Sequence, residues 1–148
     1  MDLNGEYIIG ADRQKVWEAL NNPDVLRECI PGCEALEMQS PTEMTATVVT
    51  KIGPVKARFS GEVRLENINA PVSYTISGEG KGGIAGFAKG GADVSLEEVP
   101  EGTRLAYSVK AQVGGKLAQL GSRLIDSTAK KLADQFFQNF ANKVSGQA

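Results

Sequence analysis

Residue types that could do chemistry are few in this chain, and the missing ones exclude whole classes of mechanism. The 148 residues contain no histidine. This excludes Ser–His and Cys–His nucleophile pairs, imidazole general bases and zinc sites that include histidine. Most Asp and Glu residues occupy predicted exposed positions, so no carboxylate pair for general acid–base catalysis is indicated. Lys89, Tyr74 and Tyr107 are the weak acid–base candidates that remain.

Two cysteines, Cys29 and Cys33, have the spacing C-x3-C. Two sulfurs without histidine do not complete a four-ligand zinc site, and a redox dithiol ordinarily has the spacing C-x-x-C. We interpret both cysteines as small hydrophobic residues that are reduced, bind no metal and are dispensable for folding. No metal site is predicted.

A glycine-rich segment from Gly78 to Gly83 matches the pattern G-x-G-x-x-G. A dinucleotide-binding loop must follow a parallel strand and begin a helix, whereas strand patterns flank this segment on both sides. We expect residues 78–91 to form two strands and a turn at a mobile pocket mouth, with Ile84 and Phe87 at the tip. The tip could contact a partner enzyme or an anionic lipid surface. A rigid, twisted hairpin is the alternative.

Composition places the chain among ordinary globular proteins. Hydrophobic residues make up 41%, charged residues 23%, and the net charge is −2. The length predicts a single domain over residues 1–148, and the lack of basic excess argues against a nucleic-acid partner. The sequence shows no secretion signal and no apolar run of about 18 residues, so we expect a cytoplasmic protein without a transmembrane segment.

Hydrophobic periodicity predicts the elements that position these residues. A first strand is followed by two short helices, with Asp12 and Asn22 as N-caps. Alternating apolar residues then predict six strands up to Val113, and a spacing of three to four predicts a long helix from Lys116. Short turns make the strands antiparallel, and the helix must cover the concave face of the sheet. The prediction is an α+β fold with a seven-stranded antiparallel sheet, two short helices and a long C-terminal helix.

Small residues at inward-facing positions suggest that the helix and the sheet leave a ligand cavity between them. Closer packing of the helix on the sheet is the alternative. Gly121 is the most informative position, because a side chain there is expected to project into the gap. The predicted lining, rim and mouth residues are Ile30, Phe59, Tyr74, Ile76, Ile84, Phe87, Val94, Tyr107, Leu117, Leu120, Gly121, Leu124 and Thr128.

Three segments give the sequence a specific resemblance. They are Leu26 to Glu34 with the motif C-I-P-G-C, Gly80 to Gly90, and Gly114 to Gly121 with the motif G-G-x-L-A-Q-x-G. With the Val16-Trp17 pair, they resemble the carbon monoxide dehydrogenase G-subunit family of the START-like (SRPBCC) superfamily. The resemblance extends over residues 1 to about 144 and implies a helix-grip fold.

The resemblance implies a non-catalytic accessory protein of a molybdenum-containing carbon monoxide dehydrogenase or related hydroxylase. Such proteins are thought to help attach the enzyme to the membrane and to handle a quinone. The implied ligand is a quinone or a fatty-acid-like molecule in the cavity, with no covalently bound cofactor and with peripheral membrane contact. Two other functions stay open: an enzyme of the polyketide cyclase or hydrolase kind using the same cavity, and a scaffold with a filled core.

Overall fold

In the computed structural model, which describes residues 1–145, seven strands form one antiparallel sheet. Their order across the sheet is β1-β7-β6-β5-β4-β3-β2. The strands are β1 (Asp2–Ile9), β2 (Cys33–Ser40), β3 (Glu43–Ile52), β4 (Val55–Asn69), β5 (Ser73–Lys81), β6 (Phe87–Val99) and β7 (Gly102–Gly114). The predicted α+β fold with seven antiparallel strands is confirmed.

Apolar and charged residues alternate along β4, which explains why one face of the sheet is exposed to solvent and the other packs against the core. Ala57 and Leu65 are buried on the inner face, whereas Lys56 and Arg64 are exposed on the outer face. Because successive side chains of a strand point to opposite faces, the same period orients every strand of the sheet. The inner face is therefore available for helices.

Two short helices follow β1, and both begin where the sequence predicts. In α1 (Arg13–Leu20), the Asp12 carboxylate accepts a hydrogen bond from the Lys15 backbone N–H at 2.8 Å. In α2 (Pro23–Cys29), the Asn22 side chain accepts one from the Asp24 backbone N–H at 2.9 Å. Both caps satisfy backbone donors that have no partner inside the helix.

The long helix begins later than the sequence analysis expects. Residues Gly115–Leu120 form a 3-10 helix, and α3 covers Ser122–Ser145. Gly115 has φ +75° and Gly121 has φ +91°, both outside the right-handed helical region. These two glycines separate the 3-10 helix from β7 and from α3, so the prediction of one continuous helix from Lys116 is wrong.

The core fills one half of the concave face. Trp17 of α1 packs edge-on against Tyr74 of β5, with ring centroids 5.1 Å apart. Phe137 of α3 stacks on Tyr107 of β7 at 5.2 Å. Phe140 is fully buried in the same cluster. The helices α1 and α2 and the second half of α3 therefore cover this half of the sheet, while the 3-10 helix Gly115–Leu120 and the beginning of α3 cover the other half.

Candidate functional site

An apolar cavity of about 270 Å³ lies between the first half of α3 and the sheet. Strands β3 to β7, the 3-10 helix Gly115–Leu120 and α3 all contribute to it. Its lining residues are Met1, Thr50, Ile52, Phe59, Gly80, Ala88, Ala111, Val113, Leu117, Ile125, Thr128, Ala129 and Leu132. The cavity occupies the half of the concave face that the core leaves free.

Small residues on neighbouring strands form the floor of this cavity. Gly80 of β5 pairs with Ala88 of β6 on one side and with Gly61 of β4 on the other. Ala111 of β7 continues the floor. A Cβ atom built at Gly80 would have no other atom within 4 Å, and the backbone there is not in the left-handed region. The space above Gly80 therefore exists because this residue has no side chain.

Larger apolar side chains form the wall and the roof. Phe59 of β4 and Ile52 of β3 form the wall. Ile125, Ala129 and Leu132 recur every three to four residues along α3 and form the roof, because that spacing places them on one helix face. The lining contains no charged side chain; within residues 1–145, its polar side chains are Thr50 and Thr128.

The cavity opens sideways into a wider basin of about 760 Å³. Cavity and basin share Met1, Ala111, Val113 and Ile125. Strand β1 begins opposite Lys110, so the last residues of β7 extend beyond it and leave a gap beside α3. The basin adds the polar side chains Asp2, Gln112, Ser122 and Asp126. The site is thus apolar inside and polar at its opening.

Three of the residues predicted for the pocket lie in the cavity lining, namely Phe59, Leu117 and Thr128. The sequence analysis missed Ala88, Val113 and the α3 residues of the roof. The period-two pattern already placed Val113 on the inner face, and the same period extends to Ala88. The roof residues Ile125 and Ala129 lie beside the apolar stripe that the sequence predicts for the helix and not on it, so only the packed structure identifies them. That stripe consists of Leu117, Leu120, Leu124, Thr128, Leu132, Phe136, Phe140 and Val144.

Four of the predicted residues lie in or against the core. Tyr74, Val94 and Tyr107 are buried among the core residues, and Ile76 is half-buried against the same cluster. The physical reason is that Trp17 and Phe137 occupy the space above these strand positions.

The remaining predicted residues lie around the site or outside it. Ile30, Leu120 and Leu124 are half-buried and lie outside the cavity lining. Gly121 is exposed and is not one of the residues that line the cavity, in contrast to the expectation that a side chain there would project into it. Ile84 is 86% exposed, and Phe87 lies at the rim of the basin.

Polar clusters occur away from the cavity. Tyr7 donates a hydrogen bond to Asp134, which also pairs with Lys130 at 3.1 Å. Burial and this hydrogen bond raise the pKa of Tyr7, and the hydrogen bonds from Tyr7 and Lys130 hold the pKa of Asp134 below its usual value. Cys29 and Cys33 are free thiols, and burial raises the pKa of Cys29. Within residues 1–145, no cluster of three or more potential metal ligands is present.

Known structures share this architecture over their whole length. A conserved protein from Geobacillus kaustophilus is 28% identical, with a TM-score of 0.92, and the alignment covers 99% of this chain and 96% of that one. A protein from Thermus thermophilus is 14% identical, with a TM-score of 0.74 and full coverage of both chains. Ara h 8.0201 is 14% identical, with a TM-score of 0.68 and 99% coverage of both chains. At the lower identities, the likeness concerns the fold alone.

Sequence comparison gives a more specific result than structure. The sequence model of the carbon monoxide dehydrogenase G-subunit (CoxG) matches residues 5–145. Among curated proteins, none matches this chain. In the described part of the chain, no helix is both long and apolar enough to span a membrane.

Proposed function

The chain belongs to the carbon monoxide dehydrogenase G-subunit (CoxG) family, and on that premise we propose that it binds a hydrophobic small molecule in the cavity under α3. The observation that carries the proposal is the open space above Gly80, which is enclosed by apolar side chains. We propose a quinone or lipid-like ligand, and a molybdenum-containing carbon monoxide dehydrogenase or related hydroxylase as the enzyme that this protein serves.

The energetic cost of an empty cavity supports a ligand. An unfilled void destabilises a protein by about 24 cal/mol per Å³. For a cavity of about 270 Å³, this gives about 6.5 kcal/mol, which is an upper value because one side of the cavity is open. That value is comparable to the whole stability of a small domain. A bound apolar molecule would restore the missing contacts and stabilise the folded protein.

The division of the site into two parts supports an amphiphilic ligand. The inner cavity lies just below the range of about 300 to 1,000 Å³ that is typical of small-molecule sites, so a ligand of ordinary size would extend into the basin. Its apolar part would lie between Gly80 and the roof residues of α3. Its polar part would lie beside Gln112 and Ser122, where hydrogen-bonding side chains and water are available.

Binding is favoured over catalysis in this proposal. The acid–base candidates Lys89, Tyr74 and Tyr107 lie outside the cavity lining. Within the described residues, the polar side chains of the lining are Thr50 and Thr128, and the Met1 ammonium is held by a hydrogen bond that it donates to the Ala111 carbonyl at 2.9 Å. The two free thiols are in keeping with a reducing compartment, and we propose the cytoplasm as the location.

Native mass spectrometry of freshly purified protein tests the proposal directly. We expect a retained apolar molecule, and after its removal we expect binding of decylubiquinone or oleic acid. A protein that carries no adduct and binds neither probe would contradict the proposal. Chemical conversion of the retained molecule during incubation would instead support an enzyme.

Two variants of α3 supply a matched comparison. Ala129→Phe places a ring in the cavity from the roof, whereas Gln135→Phe adds the same ring at an exposed position of the same helix. We expect Ala129→Phe to abolish probe binding while Gln135→Phe retains it, both with cooperative melting transitions. Equal binding by both variants would show that the probes bind elsewhere.

A further inference from the structure

Strand β1 forms one edge of the sheet, with β7 as its neighbour on one side and no strand on the other. Met1 and Ala111 exchange two backbone hydrogen bonds of 2.9 Å, which fixes the residues of β1 whose backbone groups face β7. Because the backbone groups of successive residues in an antiparallel strand point to alternate sides, the residues between these face away from β7. The residues whose N–H and C=O groups face the open side are Asp2, Asn4, Glu6 and Ile8.

These four residues, which we call the open edge, are exposed and regular in conformation. The register of β1 with β7 is continuous, without a bulge, and β1 contains neither proline nor lysine. Bulges, prolines and lysines are the features with which native edge strands ordinarily prevent pairing with another chain. Beyond the strand, the Gly10 N–H also points away from β7, but it donates to the Ser145 hydroxyl of α3 at 3.1 Å. Within residues 1–145, the open edge itself has no such partner.

The other edge strand of the sheet, β2, is protected. Its pairing with β3 shifts register twice. Helix α2 contacts β2, and the Arg27 guanidinium of α2 donates a hydrogen bond to the Leu36 carbonyl at 2.9 Å. Irregular pairing and a covering helix both keep other strands from an edge. The difference between the two edges indicates that β1, and not β2, is available to another chain.

The side chains of the open edge carry negative charge. Asp2 and Glu6 lie on the outer face of the sheet, and neither carboxylate forms an ion pair within residues 1–145. Lys110 lies opposite Asp2 on β7, whereas the residue opposite Glu6 is Ala106. A strand with basic side chains on this face would form opposite-charge pairs with both carboxylates.

The same charges disfavour a second copy of this chain as the occupant of the open edge. In an antiparallel pairing of two β1 strands, the four residues of one open edge pair with those of the other. Every register that pairs at least three of them places Glu6 of one copy opposite or diagonal to an acidic side chain of the other. Like charges at such positions are destabilising. The acidic side chains therefore prevent self-pairing and select a basic partner.

We propose that the open edge of β1 binds an extended segment of a partner protein as an additional antiparallel strand, with lysine or arginine at the alternate positions that lie beside Asp2 and Glu6. Backbone hydrogen bonds to the open edge would provide the affinity, and the two carboxylates would select the segment by its charge. The proposal does not depend on a ligand in the cavity under α3.

NMR titration of the isotope-labelled protein with the acetylated and amidated peptide Lys-Val-Lys-Val-Lys-Val-Lys tests the proposal. We expect the peptide to shift the amide protons that face the open side, those of Asn4, Glu6 and Ile8. The amide protons of Leu3 and Gly5, which face β7, should move less. In an added strand with its lysines on the outer face, the lysine amides face β1 and the valine amides face away. N-methylation of the lysine amides should therefore abolish binding, whereas N-methylation of the valine amides should leave it unchanged.

Variants of β1 supply a matched comparison. Asn4→Pro removes an N–H that faces the open side and takes no part in the pairing with β7, a position at which an edge strand accepts proline. It should weaken peptide binding by about tenfold, whereas Asn4→Ser, which keeps the N–H, should bind as the unsubstituted protein does. Glu6→Gln should weaken binding roughly two- to fivefold, because one opposite-charge pair is lost. The comparison of N-methylated peptides uses the unsubstituted protein and stays decisive if Asn4→Pro does not fold.

Each of three results would overturn the proposal. Equal binding of the two N-methylated peptides would show that charge alone attracts the peptide. Equal binding of Glu-Val-Glu-Val-Glu-Val-Glu would show that the open edge does not select a basic segment. Shifts of the same amide protons with protein concentration alone, absent in Asn4→Pro, would show that a second copy of this chain occupies the open edge.

Discussion

Gly80→Leu should fill the cavity without disturbing the fold. The position has ordinary extended backbone and no atom within 4 Å of a Cβ atom, so the new side chain meets open space. Burying a leucine side chain stabilises by about 1.5 to 3 kcal/mol. Removing a strand glycine adds about 0.5 kcal/mol, and fixing the leucine rotamer costs about 0.5 to 1 kcal/mol. Because the cavity is open on one side, we expect a net gain of about 1 to 2 kcal/mol.

Thermal unfolding with and without ligand measures both consequences. For a domain of this size, a gain of 1 kcal/mol raises Tm by roughly 2 to 4 °C, so ligand-free Gly80→Leu should melt about 2 to 8 °C higher. A ligand present at about 100 times its Kd stabilises the unsubstituted protein by about 2.7 kcal/mol. Gly80→Leu should lose this response to decylubiquinone or oleic acid, because the binding space is occupied.

Glu79→Leu is the matched control for Gly80→Leu. Glu79 is exposed on the outer face of the same strand, one residue before Gly80. It should keep the ligand response and change stability by no more than about 0.5 kcal/mol. If Gly80→Leu instead lowers Tm by the several degrees typical of overpacking, the space above Gly80 is closed in solution. If it melts higher but still responds to ligand, the ligand binds outside the cavity.

Three further measurements test other parts of the structure. The hydrogen bonds from Tyr7 and Lys130 hold the pKa of Asp134 below 3.8, so these contacts stabilise the fold fully above that pH and progressively less below it. In urea unfolding, the stability difference between the unsubstituted protein and Asp134→Asn should therefore be present at neutral pH and decrease as the pH falls below 3.8. A constant difference would contradict this. Cys29→Ala combined with Cys33→Ser should still fold, and elemental analysis of the unsubstituted protein should find no stoichiometric metal. In hydrogen exchange, amides 79–90 should exchange faster than those of 55–65 and slow down with ligand; equal protection in the empty protein would exclude a mobile mouth.

Local patterns predicted the sheet and helices because each element has its own periodicity and caps. The alternation through β4 and the N-caps Asp12 and Asn22 are properties of neighbouring residues, and the structure has them as predicted. The beginning of α3 was missed because an apolar spacing does not reveal a positive φ. Leu117 has the spacing of a helix residue, but Gly121 ends its 3-10 helix with φ +91°.

The position of the cavity could be predicted only in part. The inward direction of Phe59 follows from strand alternation, and it does line the cavity. Which half of the concave face stays open depends on where α1 packs and where Phe137 points. Phe137 lies beside the main apolar stripe of α3, yet it stacks with Tyr7 at 4.5 Å and with Tyr107 at 5.2 Å. Such contacts between distant segments are set by the whole fold and not by local spacing.

The distribution of aromatic residues explains how the fold can leave a cavity and still be stable. Seven of its nine aromatic side chains pack on one another in the core half of the concave face. They are Tyr7, Trp17, Tyr74, Tyr107, Phe136, Phe137 and Phe140. The cavity half has glycine and alanine on its floor, with Phe59 as its one aromatic lining residue within residues 1–145. Because the groups that stabilise the fold and the space for a ligand lie in different halves, a substitution can close the cavity without removing core contacts. Loss of binding in a stably folded variant is therefore the outcome that this architecture predicts.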